Sequence, residues 1–334
     1  MNLTSLKAFA DSRVGVVTGI GLFSAAATAL WVEMRARRAK RENPARGQFI
    51  EIDGVRLHYV ERGTGSPVVL IHGNAVSLED FEASGLLDRL AVNHRVIAID
   101  RPGFGHSNRP RDRMWTPTAQ AKVLREALQR LGIGQATLVG HSMGAMVAVA
   151  LALDHPEYVS RLVLLSGYYY PSMRIDALMM TPVALPVLGD AMRHTVTAVL
   201  SRASLKGAVK GMFAPNDIPE NFFNVMSREM MLRPVQLRAN AEDAAFMIPE
   251  AAASAKRYGE LRMPLAIFSG EDDAIVDPQD HSARLHRDVE HSELFLVPRS
   301  GHMVHYSVPA QIVEAIDASP ESIRMTPSPA LELQ

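Results

Sequence analysis

Residues 136–139 form a short apolar run, and the chain then reads Gly140-His141-Ser142-Met143-Gly144 before a helical pattern opens at Met143. No other feature restricts the fold of this chain so strongly. A G-x-S-x-G between a strand and a helix demands a very tight turn with strained backbone angles at the serine. The flanking Gly140 and Gly144 carry no Cβ to clash there. The helix N-terminus aims its dipole and free N–H groups at the place where a developing oxyanion would sit. A chance G-x-S-x-G in a glycine-containing loop would lack the preceding strand and the following helix.

The rest of the chain supplies the layers such a turn needs. Residues 48–52 and 56–62 flank Asp53-Gly54, a hairpin turn signal. Residues 68–71, 95–100, 136–139, 161–165 and 265–269 are short apolar runs, and 293–297 alternates. Amphipathic stretches at 80–91, 118–131, 143–154, 279–287 and 304–317 lie between them. This pattern predicts an α/β fold: a mostly parallel sheet covered by helices on both faces, opened by an antiparallel hairpin. No 20–50-residue repeat is visible. Residues 168–260 break the rhythm with helical runs and seven prolines but no strand-like run. A stretch that long is no loop, and it reads as a helical cap inserted between two strands. It holds nine of the 17 methionines. Methionine suits an adaptable apolar pocket, although ordinary packing inside the cap accounts for most of them one by one.

The N-terminus reads as a separate unit. Residues 14–32 are 19 residues without a charge, about 28 Å of helix and close to one hydrocarbon core. Lys7 and Arg13 precede them, and Arg35, Arg37, Arg38, Lys40 and Arg41 follow. The reading is a single-pass membrane anchor whose larger basic cluster keeps the rest of the chain cytoplasmic. A cleaved signal ending at Ala27-Thr28-Ala29 is the rival, opposed by the basic residues beyond it and by the continuing apolar Leu30-Trp31-Val32. A peripheral helix is the third possibility. Gly15 and Gly19 form one GxxxG, for which chance spacing in a Gly- and Ala-rich stretch is the plainer account. The expected organisation is an anchor and basic linker over 1–46, a core over 47–167 and 261–317, the cap over 168–260, and a disordered tail over 318–334.

Charge and composition remove other classes. Basic and acidic residues number 35 and 36, which gives no drive toward nucleic acid. The absence of cysteine excludes disulfide scaffolds, thiolate metal sites and a cysteine nucleophile. The chain has no Walker A, no GxGxxG between a strand and a helix, no HExxH, no EF-hand spacing and no basic–aromatic interleaving.

Five motifs occur in one order: His72-Gly73-Asn74 after the run 68–71, Asp100-Arg101-Pro102-Gly103-Phe104-Gly105-His106-Ser107, Gly140 to Gly144, Gly270-Glu271-Asp272-Asp273, and Gly301-His302. With them the chain, over about residues 48–317, resembles the α/β-hydrolase superfamily in its lipase, esterase and haloperoxidase-like branch with an inserted cap. The motif set is specific for the fold and weakly specific for substrate. The resemblance implies an eight-stranded sheet and the order nucleophile, acid, base. Ser142 is the implied nucleophile in a turn supported by Gly140, His141 and Gly144, and the backbone N–H groups of Asn74 and Met143 are the implied oxyanion hole. His72 and Gly73 match the family's structural loop, and Asp100 and Arg101 its pocket floor. Chain position and the preceding glycine favour His302 as base, with His305 as rival. Glu271, Asp272, Asp273 and Asp277 crowd the acid position. The family's G-x-x-D selects Asp273, with Asp272 and Asp277 as alternatives. The site after the sixth strand, Ser166-Gly167-Tyr168, offers no carboxylate.

The implied activity is hydrolysis of carboxylic esters through an acyl-enzyme, without metal or cofactor. The anchor and the methionine-rich cap suggest a hydrophobic, lipid-like small-molecule substrate. A serine in place of aspartate argues against haloalkane dehalogenases and epoxide hydrolases. A carbon–carbon bond hydrolase or a perhydrolase would use the same triad. A non-catalytic binding protein on the same scaffold is the reading from a different class.

Overall fold

A computed structural model describes residues 13–318. The expected tail, apart from Ala318, lies outside the described residues, as does Lys7. The chain runs α1 (Arg13–Glu42), β1 (Gln48–Ile52), β2 (Val55–Arg62), β3 (Ser66–Ile71), α2 (Glu79–Ala83), α3 (Leu86–Leu90), β4 (His94–Ile99), α4 (Pro117–Arg130), β5 (Ala136–His141), α5 (Met143–Asp154) and β6 (Val159–Leu165). Six helices follow: α6 (Ile175–Ala184), α7 (Leu188–Arg193), α8 (Val196–Phe213), α9 (Phe222–Val225), α10 (Arg228–Met231) and α11 (Pro234–Ser254). The chain then returns through β7 (Leu265–Gly270), α12 (Arg284–Asp288), β8 (Ser292–Val297), α13 (Val304–Ser307) and α14 (Pro309–Asp317).

The eight strands form one sheet in the order β1-β2-β4-β3-β5-β6-β7-β8. β2 pairs antiparallel with both β1 and β4, and every pairing from β4 onward is parallel. Alternation along each strand divides the core between the two faces. Val69, Ile71, Ile97, Leu138, Leu164 and Ile267 meet the apolar sides of α4 and α5 on one face. Val68, Leu70, Val96, Val139, Val163 and Phe268 meet α2, α3 and α14 on the other. Asp53 and Gly54 both take positive φ, 47° and 76°, as the hairpin turn between β1 and β2 requires.

Three expectations about element boundaries need correction. The predicted helix over 80–91 is two short helices, because Gly85 takes φ 72° between α2 and α3. The predicted helix over 304–317 breaks between α13 and α14, where Pro309 opens the second. The predicted basic linker over 33–46 is largely helix, since α1 continues unbroken to Glu42. Two pairs one turn apart support that extension: Glu33 with Arg37 and Arg38 with Glu42, each at 2.7 Å.

The two halves of α1 differ. Val17, Ile20, Leu22, Phe23 and Leu30 are exposed. Beyond them Val32 and Ala39 are buried, where α1 packs against α10 and α11. The guanidinium of Arg202 lies 5.1 Å from the Trp31 ring centre.

Candidate active site

Ser142 sits between β5 and α5 with φ 52° and ψ −117°, a strained conformation for a residue with a side chain. Its N–H donates to Leu165 O at 2.9 Å, which pins the turn to β6. The neighbouring glycines are steric requirements. A Cβ on Gly144 would stand 2.0 Å from Ile71 O at the end of β3, and one on Gly140 would stand 2.7 Å from Ala145 N.

The Ser142 hydroxyl meets His302 Nε2 at 2.9 Å, and His302 Nδ1 meets Asp273 Oδ2 at 2.8 Å. All three side chains are buried. Asp273 Oδ1 accepts from Ile275 N at 2.8 Å and Val276 N at 2.9 Å, so Oδ2 is left for the imidazole. Burial pushes the Asp273 carboxyl up, but the charge and hydrogen bond of His302 and these two N–H donors prevail and hold it below its ordinary value. The rivals lie outside this relay. Asp272 and Asp277 are exposed, and Asp277 Oδ1 caps the turn at Gln279 and Asp280. His305 Nε2 is 2.9 Å from Asp80 Oδ2, and Asp80 Oδ1 accepts from the Tyr306 hydroxyl at 2.8 Å.

Asn74 lies in the loop after β3. Among the described residues its N–H donates to no protein group, while its Oδ1 accepts from Arg101 Nη2 at 2.8 Å. Met143 is the first residue of α5, where helix N–H groups have no acceptor inside the helix. Gly73 packs directly on the serine turn: a Cβ there would lie 3.1 Å from Ser142 Cβ. His72 is structural in its contacts. Its Nε2 accepts from Arg101 N at 2.9 Å and its Nδ1 donates to Gly73 O at 2.7 Å. His141 Nε2 donates to the His302 carbonyl at 3.1 Å, steadying the loop that carries His302.

The partner of Arg101 and Arg109 in a buried network, Asp243, carried no sequence signal. Arg101 reaches His72 O at 2.8 Å, Gly73 O at 3.0 Å and Asn74 Oδ1, and also binds Asp243 Oδ2 of α11 at 2.5 Å. Arg109 Nη2 meets Asp243 Oδ1 at 2.9 Å. This buried latch ties the helical insertion to the Asn74 loop. Asp243 lies more than 130 residues from either arginine, so no local pattern announces the pairing.

Asp80, His141 and His305 place one ligand atom each within 4.8 Å of one another, all buried, which is the geometry of a possible metal group. Nδ1 of His141 and Nδ1 of His305 have no hydrogen-bond partner among the described residues, and His141 Nδ1 lies 3.9 Å from Asp80 Oδ2. Burial, then the neighbouring His305 and His302, lower the His141 pKa well below its usual value.

Several buried histidines make stability depend on pH. Burial, reinforced by Arg101, lowers His72 to about 4, and burial lowers His281 to about 4. In the unfolded chain such groups titrate near pH 6.5, at roughly the model-peptide value. Across that window the unfolded state binds more protons, so stability falls as pH falls. For His72 alone the loss by pH 4 is on the order of 3 kcal/mol. Urea unfolding at stepped pH is expected to show this decline, and a constant midpoint from about pH 7 to about pH 4.5 would contradict it.

A family profile for the alpha/beta hydrolase fold matches residues 66–309. The chain belongs to the alpha/beta hydrolase family. It is 27% identical over 279 residues to an uncharacterized hydrolase, YugF, of Bacillus subtilis (strain 168), covering 79% of this chain and 94% of that protein. It is 28% identical over 258 residues to a 2-hydroxy-6-oxononadienedioate/2-hydroxy-6-oxononatrienedioate hydrolase of Burkholderia vietnamiensis, covering 75% of this chain and 86% of that protein. A solved thermophilic esterase from Thermogutta terrifontis superposes with a TM-score of 0.64 at 23% identity, covering 83% of this chain and 98% of that one, a likeness of fold. As an alpha/beta hydrolase the chain is read as a hydrolase, and the sheet and serine turn are its family scaffold.

Proposed function

We propose that the protein is a membrane-anchored serine hydrolase of carboxylic esters, acting on hydrophobic or lipid-like acyl groups. The observation that carries this reading is the continuous relay from Ser142 through His302 to Asp273, together with an Asn74 N–H that donates to no protein group among the described residues. Ser142 Oγ attacks the carbonyl while His302 Nε2 takes its proton, and the Asn74 and Met143 N–H groups hold the oxyanion. His302 returns the proton to the leaving alkoxide. Water, deprotonated by His302, then cleaves the acyl-enzyme, and Asp273 orients the imidazole and stabilises its charged form throughout. Support for an apolar acyl group comes from Met143, Met146, Tyr168, Met247 and Val276, which cluster beside the serine turn. The insertion over 168–260 acts as the cap, on a core made of 47–167 and 261–317.

A second reading, a carbon–carbon bond hydrolase on the same triad, is favoured by the Burkholderia relative. Two measurements separate them. A fluorophosphonate probe should label Ser142, and kcat/KM toward p-nitrophenyl esters should rise with acyl length. Turnover of a 2-hydroxy-6-oxodienoate with none of the esters would overturn the ester assignment.

The anchor reading rests on α1, whose span Val17–Glu42 is long and apolar enough to cross a membrane or to be a signal sequence. The basic residues Arg35 to Arg41 support a cytoplasmic catalytic body. Full-length protein should resist carbonate extraction from membranes and retain Met1 or Asn2 as its first residue. A native chain beginning at Leu30 would replace the anchor by a cleaved signal. Truncation at Asn43 also removes the docked half of α1, with its buried Val32 and Ala39. That variant is expected to be less stable than one beginning at Leu30 by roughly 2–4 kcal/mol in urea unfolding.

A further inference from the structure

A cavity of about 600 Å³ opens between the second half of α1 and the insertion, and neither Ser142 nor His302 lines it. Its wall carries eight arginine and lysine residues against two carboxylates, Glu33 and Asp190. Both carboxylates are already engaged within the wall. Glu33 accepts from Arg37 at 2.7 Å, and Asp190 is held by Arg111 at 2.5 Å and by Arg193.

The cations left over converge. Arg233 is 3% exposed, and its guanidinium donates only to neutral oxygens, those of Met230, Gly105 and Gln236. Among the described residues no carboxylate pairs with it. Lys40 has no ion pair among the described residues, and the carboxylate nearest Arg56 is Glu51 at 3.8 Å. Burial pulls Arg233 down to about 10. Burial, then the charges of Arg233 and Arg56, lowers Lys40. The 21-residue α11 begins on the same wall, at Pro234 and Val235, with no acidic residue in its first turn. Its positive dipole end adds to the field.

We propose that this cavity is a binding site for the phosphate group of an anionic ligand, held by Arg233, Lys40 and Arg56 at the N-terminus of α11. Arg233 Nε and Nη2 are held by neutral oxygens, so its Nη1 and its charge, unpaired by any carboxylate within hydrogen-bond reach, are what it offers a phosphate oxygen. The volume is that of a small-molecule site. The phosphate has two possible sources, the headgroup of an anionic phospholipid or a soluble phosphomonoester. The proposal is independent of the chemistry at Ser142.

The test uses the full chain in a nonionic detergent, with thermal unfolding followed during titration. One arm adds sn-glycerol 3-phosphate, with sodium chloride at matched ionic strength as control. The other uses mixed micelles containing phosphatidylglycerol, with phosphatidylcholine as control. A saturable rise in Tm with glycerol 3-phosphate assigns a soluble ligand, and a rise only with phosphatidylglycerol assigns the headgroup. In either case the double substitution Lys40→Glu, Arg56→Glu should weaken the apparent Kd by about tenfold or more, as should Arg233→Gln. Lys40 and Arg56 are exposed, so the double variant keeps the test decisive if Arg233→Gln fails to fold. No rise above control in both arms, or an undiminished rise in the double variant, overturns the proposal.

Discussion

Ser142→Ala is expected to leave a folded protein whose ester turnover has fallen by about 10⁴-fold or more, and His302→Ala is expected to match it within about tenfold. The two substitutions should be nearly equivalent because each removes half of one device. On the proposed mechanism no acyl-enzyme forms without Ser142, and without His302 the hydroxyl has no acceptor for its proton. The residual rate would come from the oxyanion donors and from binding alone. Asp273→Asn should cost somewhat less. An amide in that position can present its NH₂ to His302 Nδ1, which favours the tautomer with the proton on the wrong nitrogen. Steady-state kinetics on a soluble p-nitrophenyl ester, with circular dichroism to verify folding, checks all three. Near-normal turnover in His302→Ala, with loss in His305→Ala, would reassign the base. The same pattern at Asp272 or Asp277 would reassign the acid.

Asp243→Ala is expected to destabilise the protein by about 3–5 kcal/mol. Asp243 is fully buried and accepts from Arg101, Arg109 and Gln120. Removing it leaves the buried Arg101 guanidinium without a carboxylate, while Arg109 keeps only Glu242 at 2.6 Å. Arg101 also holds the carbonyls of His72 and Gly73 and the side chain of Asn74. Loss of its anchor should therefore reach the Asn74 loop, the proposed oxyanion site, lowering kcat more than it raises KM. Urea unfolding together with kinetics at saturating ester checks both effects. A stability within about 1 kcal/mol of the parent would show that Asp243 does not bear the latch.

The central strands β3 to β7 could be read in the sequence because each carries a short apolar run, largely buried and bounded by turn residues, and the outer strands because they flank the Asp53-Gly54 turn or alternate. The serine turn was legible for a related reason: close backbone approach there requires Gly140 and Gly144, and that requirement is local. The break at Pro309 was equally visible in principle, since proline opens a helix and rarely continues one. In residues 33–42 helix propensity outweighs the charge that marks a linker. Glu, Met, Arg, Ala and Lys are good helix formers, and their charges fall in opposite-sign pairs one turn apart. The Arg101–Asp243 latch and the cationic cavity lay beyond sequence reasoning. Both join segments that only the packing of the insertion against the core brings together, and neither leaves a period or a spacing in the chain.

The unbroken course of α1 makes it a spoke rather than a leash. A flexible stretch of 14 residues would wander over about 20 Å and average away any orientation. A helix instead fixes both height and angle, at about 1.5 Å and about 100° per residue. Its exposed apolar half and its docked half are therefore geared to each other by helical phase. One alanine inserted between Leu30 and Trp31 would turn the apolar half by about 100° against the catalytic body while leaving every docked contact in place. Four would nearly restore the setting, about 6 Å further out. Which side of the body faces whatever grips that apolar half is thus written in residue count, and it can be reset one residue at a time.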